Sequence, residues 1–228
     1  MKRIFVLTGA GISAPSGIQT FRGSDGLWNG YRVEEVATPE AFEANPTLVY
    51  DFYNARRSGL FEVQPNAAHR AIARLAKSAD VTVVTQNVDD LHERGGASSV
   101  VHMHGELRKV RCLDCGEVVL WDTDLTSSDC CPRCQGRMRP DIVWFGEIPY
   151  GLDQIEAELR RCDLFLCIGT SGNVYPANDF VRFAKRHGAY AIEFNLESTM
   201  ISDSFDECVT GDVVETVPEW VSQAESRL

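Results

Sequence analysis

The chain has 228 residues, 44% of them apolar, enough for one sizeable core and a small satellite module but too few for two full-size domains. Thirty-three acidic against 22 basic side chains give a net charge of −11, which repels phosphate backbones and anionic headgroups, so neither nucleic acid nor membrane is expected as a partner. The start, Met1-Lys2-Arg3 and then Ile4–Leu7, is too short an apolar run for a signal or a membrane span; the expectation is a cytoplasmic protein whose eight cysteines serve metal binding or packing rather than disulfides.

In chain order, Arg3–Leu7, Val81–Val84, Leu164–Ile168 and Tyr190–Phe194 read as strands buried on both faces, and Ala67–Ala76, Asp153–Arg161 and Ala177–Arg186 read as helices between them. That alternation predicts an α/β fold, a parallel sheet covered by helices. Residues 30–59, helical and aromatic, and residues 110–139, which hold five cysteines, break the rhythm and are expected to form a smaller module. The main domain then comprises 1–29, 60–109 and 140–228.

Gly9-Ala10-Gly11-Ile12-Ser13-Ala14 follows the first strand and fits the G-x-G-x-x-A dinucleotide fingerprint, in which small residues admit a pyrophosphate to a helix N-terminus; a plain tight turn is the alternative. The ribose-binding acid usual about 20 residues on is missing, since that region reads Leu27-Trp28-Asn29-Gly30, and an ordinary dehydrogenase is disfavoured. Thr85-Gln86-Asn87-Val88-Asp89-Asp90-Leu91-His92 follows a strand, where ligand-binding side chains gather, although Asn87 or Asp89 could merely cap a helix.

His102-Met103-His104-Gly105 supplies a candidate general base at a domain junction; an extended segment would point both histidines to one side, and spacing does not choose between them. His69 and His92 read as structural. Cys112-x2-Cys115 and Cys131-x2-Cys134, 15 residues apart, suit one tetrahedral zinc whose closed thiolate shell makes it structural; Cys130 could replace Cys131. Cys162, Cys167 and Cys208 are expected in the core.

Taken in order, GAGISAPSGIQTFR (Gly9–Arg22), TQNVDDLH (Thr85–His92), His104-Gly105, the paired CxxC, RPDIVWFGE (Arg139–Glu147), GTS (Gly169–Ser171) and FNLE (Phe194–Glu197) resemble the sirtuin family over almost the whole chain. The resemblance implies a Rossmann-like domain, a smaller zinc-binding and helical module, and NAD as co-substrate in the cleft between them. It implies that Gly9, Ala10, Gly11 and Ser13 cradle the NAD phosphates, with Phe21, Arg22 and Trp28 near the nicotinamide ribose. Gln86, Asn87, Val88 and Asp89 would contact ribose and nicotinamide, and Gly169, Thr170, Ser171, Asn195, Leu196, Glu197 and Val213 the adenosine half. Asn195 and Glu197 thereby stand in for the missing ribose acid.

By the same resemblance, the acyl-lysine carbonyl oxygen attacks the nicotinamide ribose carbon and nicotinamide leaves. His104 then acts as general base on a ribose hydroxyl, and the product is 2'-O-acyl-ADP-ribose. The peptide would lie as an added strand between Trp144–Glu147, with Phe145 and Gly146, and Gly172–Val174.

In Tyr50–Arg57, Tyr53 and Arg56 share a helix face, and with the small residue Ala37 they resemble the acid-selective deacylases, where a guanidinium and a phenol bind an acyl carboxylate. Arg56 on a solvated helix face, as for its neighbour Arg57, is the plainer alternative. The expected activity is desuccinylation and demalonylation with retained deacetylation, by a monomer acting on acylated protein lysines. ADP-ribosyl transfer and non-catalytic peptide binding are the rival readings.

Overall fold

The structure, a computed structural model, describes residues 2–19, 28 and 30–225. It opens with β1 (Arg3–Thr8) and a short helix α1 (Ala10–Ser13) that runs on as a 3-10 turn to Ser16. Three helices follow: α2 (Val33–Val36), α3 (Pro39–Ala44) and α4 (Pro46–Leu60). The last two start where the sequence writes a cap followed by proline. Thr38 and Asn45 accept the N–H of Ala41 and Leu48, and a proline in the first turn sacrifices no helical bond.

Helix α5 (Ala67–Leu75), capped by Asn66, leads into β2 (Asp80–Thr85), and α6 (Leu91–Arg94) into β3 (Val100–His102). A second sheet interrupts the first: β4 (Gly105–Cys112), β5 (Val118–Leu120) and β6 (Met138–Ile142). The chain returns through α7 (Leu152–Arg161), β7 (Leu164–Ile168), α8 (Phe180–Arg186), β8 (Tyr190–Asn195), β9 (Glu207–Thr210) and α9 (Val213–Glu225).

Six strands form one parallel sheet in the order β3-β2-β1-β7-β8-β9. Numbered within that sheet the order is 3-2-1-4-5-6, the dinucleotide-binding arrangement, and it reverses between β1 and β7. Successive β1 residues feed opposite layers. Ile4 and Val6 pack with Ile72, Leu75, Val217 and Val221 of α5 and α9, whereas Phe5 and Leu7 pack with Leu159, Phe180 and Val181 of α7 and α8. The strand β9 and helix α9 are additions that the sequence pattern alone did not reveal.

The helical and cysteine-rich insertions share a single core, in which Val36, Phe42, Tyr50 and Phe52 meet Leu107, Val110, Met138 and Trp144. The second sheet is wider than 110–139, since β4 begins at Gly105 and β6 ends at Ile142. Arg57, expected on a solvated face, is instead buried. It donates to the carbonyls of Leu107 (2.7 Å) and Thr123 (3.1 Å) and to Asn54 Oδ1 (2.7 Å), which ties α4 to the second sheet. Helix periodicity could not show this, because a second layer covers the outer side of α4. No helix among the described residues is long and apolar enough to cross a membrane.

Candidate active site

The sheet reverses order between β1 and β7, and the loops after those two strands meet there. The Gly9 N–H donates to the Ile168 carbonyl (3.0 Å) and the Gly11 N–H to the Gly169 carbonyl (2.8 Å). Gly169 has φ +65°, and a Cβ on Gly11 would lie 2.7 Å from Gly169 Cα, so this crossing needs glycine on both sides. The segment after β2 closes the same point. Asn87 Nδ2 donates to the Gly9 carbonyl and to Ser13 Oγ, both at 3.0 Å, and Ser13 Oγ donates to Asp89 Oδ2 at 2.9 Å.

Asp89 also accepts the N–H of Leu91 (3.1 Å), the first residue of α6, although the N-cap position of that helix is Asp90. Burial raises the Asp89 carboxyl pKa. Beneath lie His69 and His92, buried with ring centroids 4.9 Å apart; burial lowers the pKa of both, that of His69 to about 4, in keeping with structural roles.

The structure separates the two candidate bases. Strand β3 ends at His102 and the chain then turns, so the extended geometry that would place both histidines on one side does not hold. His102 is buried, bonded to Glu93 Oε1 (2.7 Å) and to the Asn87 carbonyl (3.3 Å); burial lowers its pKa, but the contacts with Glu93 outweigh that and the net change is upward. His104 lines the cleft. Its Nδ1–H donates to the Gln86 carbonyl at 3.0 Å, leaving Nε2 to accept a proton, and burial lowers its pKa. Gly105 (φ +82°) makes the crossing into β4, where a Cβ would meet the Asp141 carbonyl oxygen at 2.0 Å.

At one end of the cleft, Tyr53 and Arg56 of α4 lie beside Ala37, Trp28 and Trp144. The Trp144 indole N–H donates to Tyr53 Oη (2.9 Å), and burial pushes the Tyr53 phenol up to about 12. Arg56 Cζ sits 3.9 Å from the Trp28 ring centroid, and burial pulls its pKa down to about 10. Its Nη1 is buried with no hydrogen-bond partner among the described residues.

The Trp144–Glu147 segment is held by a pair that the motif Arg139–Glu147 contained without explaining. Arg139 donates from Nη1 and Nη2 to the two Glu147 oxygens (2.7 and 2.9 Å), its Cζ lies 3.3 Å from the Trp144 ring centroid, and Glu147 accepts the Trp144 N–H (2.8 Å). Phe145 N–H donates to the Ala37 carbonyl (3.0 Å), which fixes this segment against the Tyr53–Arg56 end of the cleft.

At the other end, Gly169, Thr170, Ser171, Asn195, Leu196, Glu197 and Val213 line the cleft, with Asn195 Nδ2 donating to the Thr170 carbonyl at 2.8 Å. Gly9, Ala10, Gly11, Ser13, Gln86, Asn87, Val88, Asp89, Gly146 and Val174 line it as well. The cleft measures about 2350 Å³, more than twice a large single-ligand pocket and ample for two substrates. Phe21 and Arg22 lie outside the described residues.

The four sulfurs of Cys112, Cys115, Cys131 and Cys134 lie within 4.8 Å of one another. A tetrahedral zinc with Zn–S bonds of about 2.3 Å needs sulfur separations of about 3.8 Å, so the set fits one structural zinc ion. Cys130 is outside it, exposed, with its thiol toward the Ser128 carbonyl (3.7 Å). Cys162 and Cys167 are buried as expected; Cys208 is exposed, because β9 is the edge of the sheet.

Residues 9–176 match the Sir2 family pattern. The chain is 53% identical to the NAD-dependent protein deacylase of Pasteurella multocida, over 97% of each chain, and to that of Escherichia coli (strain K12), over 97% of this chain and 81% of the relative. The fold superposes on the crystal structure of a Sir2 homolog–NAD complex with a TM-score of 0.91 and 40% identity, covering 98% of this chain and 90% of the other. With the cleft at the sheet's switch point, the thiolate cluster and the matched pattern in agreement, the chain belongs to the Sir2 family.

Proposed function

We propose that this NAD-dependent protein deacylase prefers lysines carrying acidic acyl groups, succinyl and malonyl, while retaining activity on acetyl-lysine. The observation that carries this reading is Arg56 Nη1, buried beside the Tyr53 phenol and without a hydrogen-bond partner among the described residues. Leaving a buried cationic donor unsatisfied is costly. A carboxylate at the end of an acyl chain would satisfy it. Tyr53 Oη already accepts the Trp144 N–H, so its own hydrogen is available to the same carboxylate.

NAD supplies the ribose carbon and hydroxyl on which the acyl group is exchanged, and this chain's residues hold it and move the proton. In this reading Gly9, Ala10, Gly11 and Ser13 bind its phosphates, Trp28, Gln86, Asn87, Val88 and Asp89 the nicotinamide half, and Gly169–Ser171, Asn195–Glu197 and Val213 the adenosine half. His104, kept neutral by burial and oriented by Gln86, takes the ribose hydroxyl proton. The peptide backbone lies between Phe145-Gly146 and Val174.

The test is mass spectrometry of succinyl- and acetyl-lysine peptides incubated with NAD. Both acyl groups are expected on ADP-ribose, with the succinyl peptide consumed at the higher kcat/KM. Label on the protein acceptor instead would favour ADP-ribosyl transfer, and a preference for acetyl would overturn the acid-selective reading.

A further inference from the structure

Strand β8 buries a carboxylate, Glu193, amid Ala191, Ile192 and Phe194. Among the described residues no Lys, Arg or His forms an ion pair with it. Its oxygens instead accept from neutral groups that all follow it in the chain: the Ser202 hydroxyl, the Thr199 hydroxyl (2.8 Å), Asn195 Nδ2 (3.2 Å) and, at longer range, the Cys208 thiol (3.7 Å). A carboxylate is costly to bury in a sheet and brings no apolar packing, so its presence calls for a role that the four donors share.

Thr199 and Ser202 belong to the connection between β8 and β9, which has no α-helix to stiffen it, while Asn195 ends β8 and Cys208 lies in β9. Thr199 N–H donates to Ser202 Oγ (2.8 Å) and Ser202 N–H to the Thr199 carbonyl (3.2 Å), closing a turn whose two hydroxyls both end on Glu193. Leu196, Glu197 and Met200 on this connection line the cleft; Leu196 and Met200 are 72% and 85% exposed, so their own packing does not hold them. The turn also carries Ile201, buried against Gly172, where a Cβ would come within 2.7 Å of Ile201 Cγ1.

We infer that Glu193 is a positioning residue for NAD: from within β8 it fixes the Asn195–Ser202 turn whose outer side binds the adenosine half, and through Ile201 it braces the Gly172–Val174 segment. The inference rests on the assignment of Asn195–Glu197 to the adenosine half. Glu193 touches no substrate. Its loss weakens the capture of NAD and leaves the chemistry at His104 intact.

The experiment is steady-state kinetics of Glu193→Ala, Glu193→Gln and Ser202→Ala, with NAD varied at saturating acyl peptide. Removing two or three hydrogen bonds should raise KM for NAD by about tenfold or more, with kcat held within about threefold. Glu193→Gln should recover part of the loss, because its amide oxygen still accepts one hydroxyl. A purely structural role would lower the melting temperature and leave KM unmoved; KM for NAD within twofold of the parent in Glu193→Ala overturns the inference. Should that variant not fold, Ser202→Ala decides by the same readout. Glu197→Ala separates the two failures: a raised KM there with unmoved Glu193 variants sinks only the role of Glu193, whereas no change in any variant sinks the adenosine-side assignment with it.

Discussion

Replacing Arg56 by Met should separate the proposed acyl selectivity from catalysis. Met has similar length and can keep the contact with the Trp28 ring, but it offers no donor and no charge. A guanidinium lowered from 12.5 to about 10 has its charged form disfavoured by roughly 3 kcal/mol. Met relieves that cost and forfeits a cation–π contact worth about 0.5–2 kcal/mol, so thermal stability should change little or rise. On the proposed reading, a charge-assisted bond from Arg56 to an acyl carboxylate would contribute about 1.5–3 kcal/mol, or roughly one to two decades in kcat/KM. The assay is kcat/KM on matched succinyl- and acetyl-lysine peptides by chromatographic detection of product. The succinyl-to-acetyl ratio should fall by about 10–100-fold, almost entirely through the succinyl value. Equal loss on both substrates would show that Arg56 supports the module as a whole, and the selectivity argument would fail.

His104→Ala should lower kcat by about 10²–10⁴ while NAD binding by calorimetry persists, and in the parent enzyme the acid limb of kcat/KM should lie below the usual histidine pKa, because burial lowers that of His104; a limb centred above neutrality would contradict the assignment. Cys131→Ala should lose zinc and melt the second sheet by circular dichroism, with no rescue by Cys130, whose thiol points to Ser128; one full equivalent of retained zinc would count against the four-thiolate set. Acidification should destabilise the fold. His69 and His92 are neutral when folded, so below pH 6.5 the unfolded chain binds protons that the folded one does not. Stability is lost as pH falls from about 6.5 towards 4, by up to roughly 3 kcal/mol from His69 alone. Over this range the His102–Glu93 pair works in the opposite direction, contributing fully below the usual histidine pKa for as long as Glu93 stays ionised and losing its share as pH rises through the raised His102 value. Denaturant midpoints flat between pH 7 and 5 would refute the balance.

The six-stranded sheet was legible wherever a strand is buried on both faces, since Ile4–Leu7 or Leu164–Ile168 leaves no polar alternation to misread. Strand β9 was not, because an edge strand such as Glu207–Thr210 carries exposed and polar residues like any loop. The same limit hid Arg57 and misplaced Cys208: burial depends on what covers a helix face or a sheet edge, and local pattern contains no information about the second layer.

The sequence by itself determined the chemistry on offer: the glycine turn, the cysteine spacing, the polar strand ends and the Tyr53–Arg56 pair are each encoded within a few residues of chain. Only the tertiary structure decided which groups act together. His102 and His104 are two residues apart and equivalent by spacing, yet one is tied to Glu93 and the other faces the cleft, because the chain turns between them to enter a second sheet. Glu193 shows the same division. In the sequence it is one acid in an apolar run, and its hydroxyl partners, six and nine residues on, become its partners only when the turn after β8 folds back beneath the cleft. Contacts of that range are set by the packing of whole elements, and residue spacing along the chain does not constrain them.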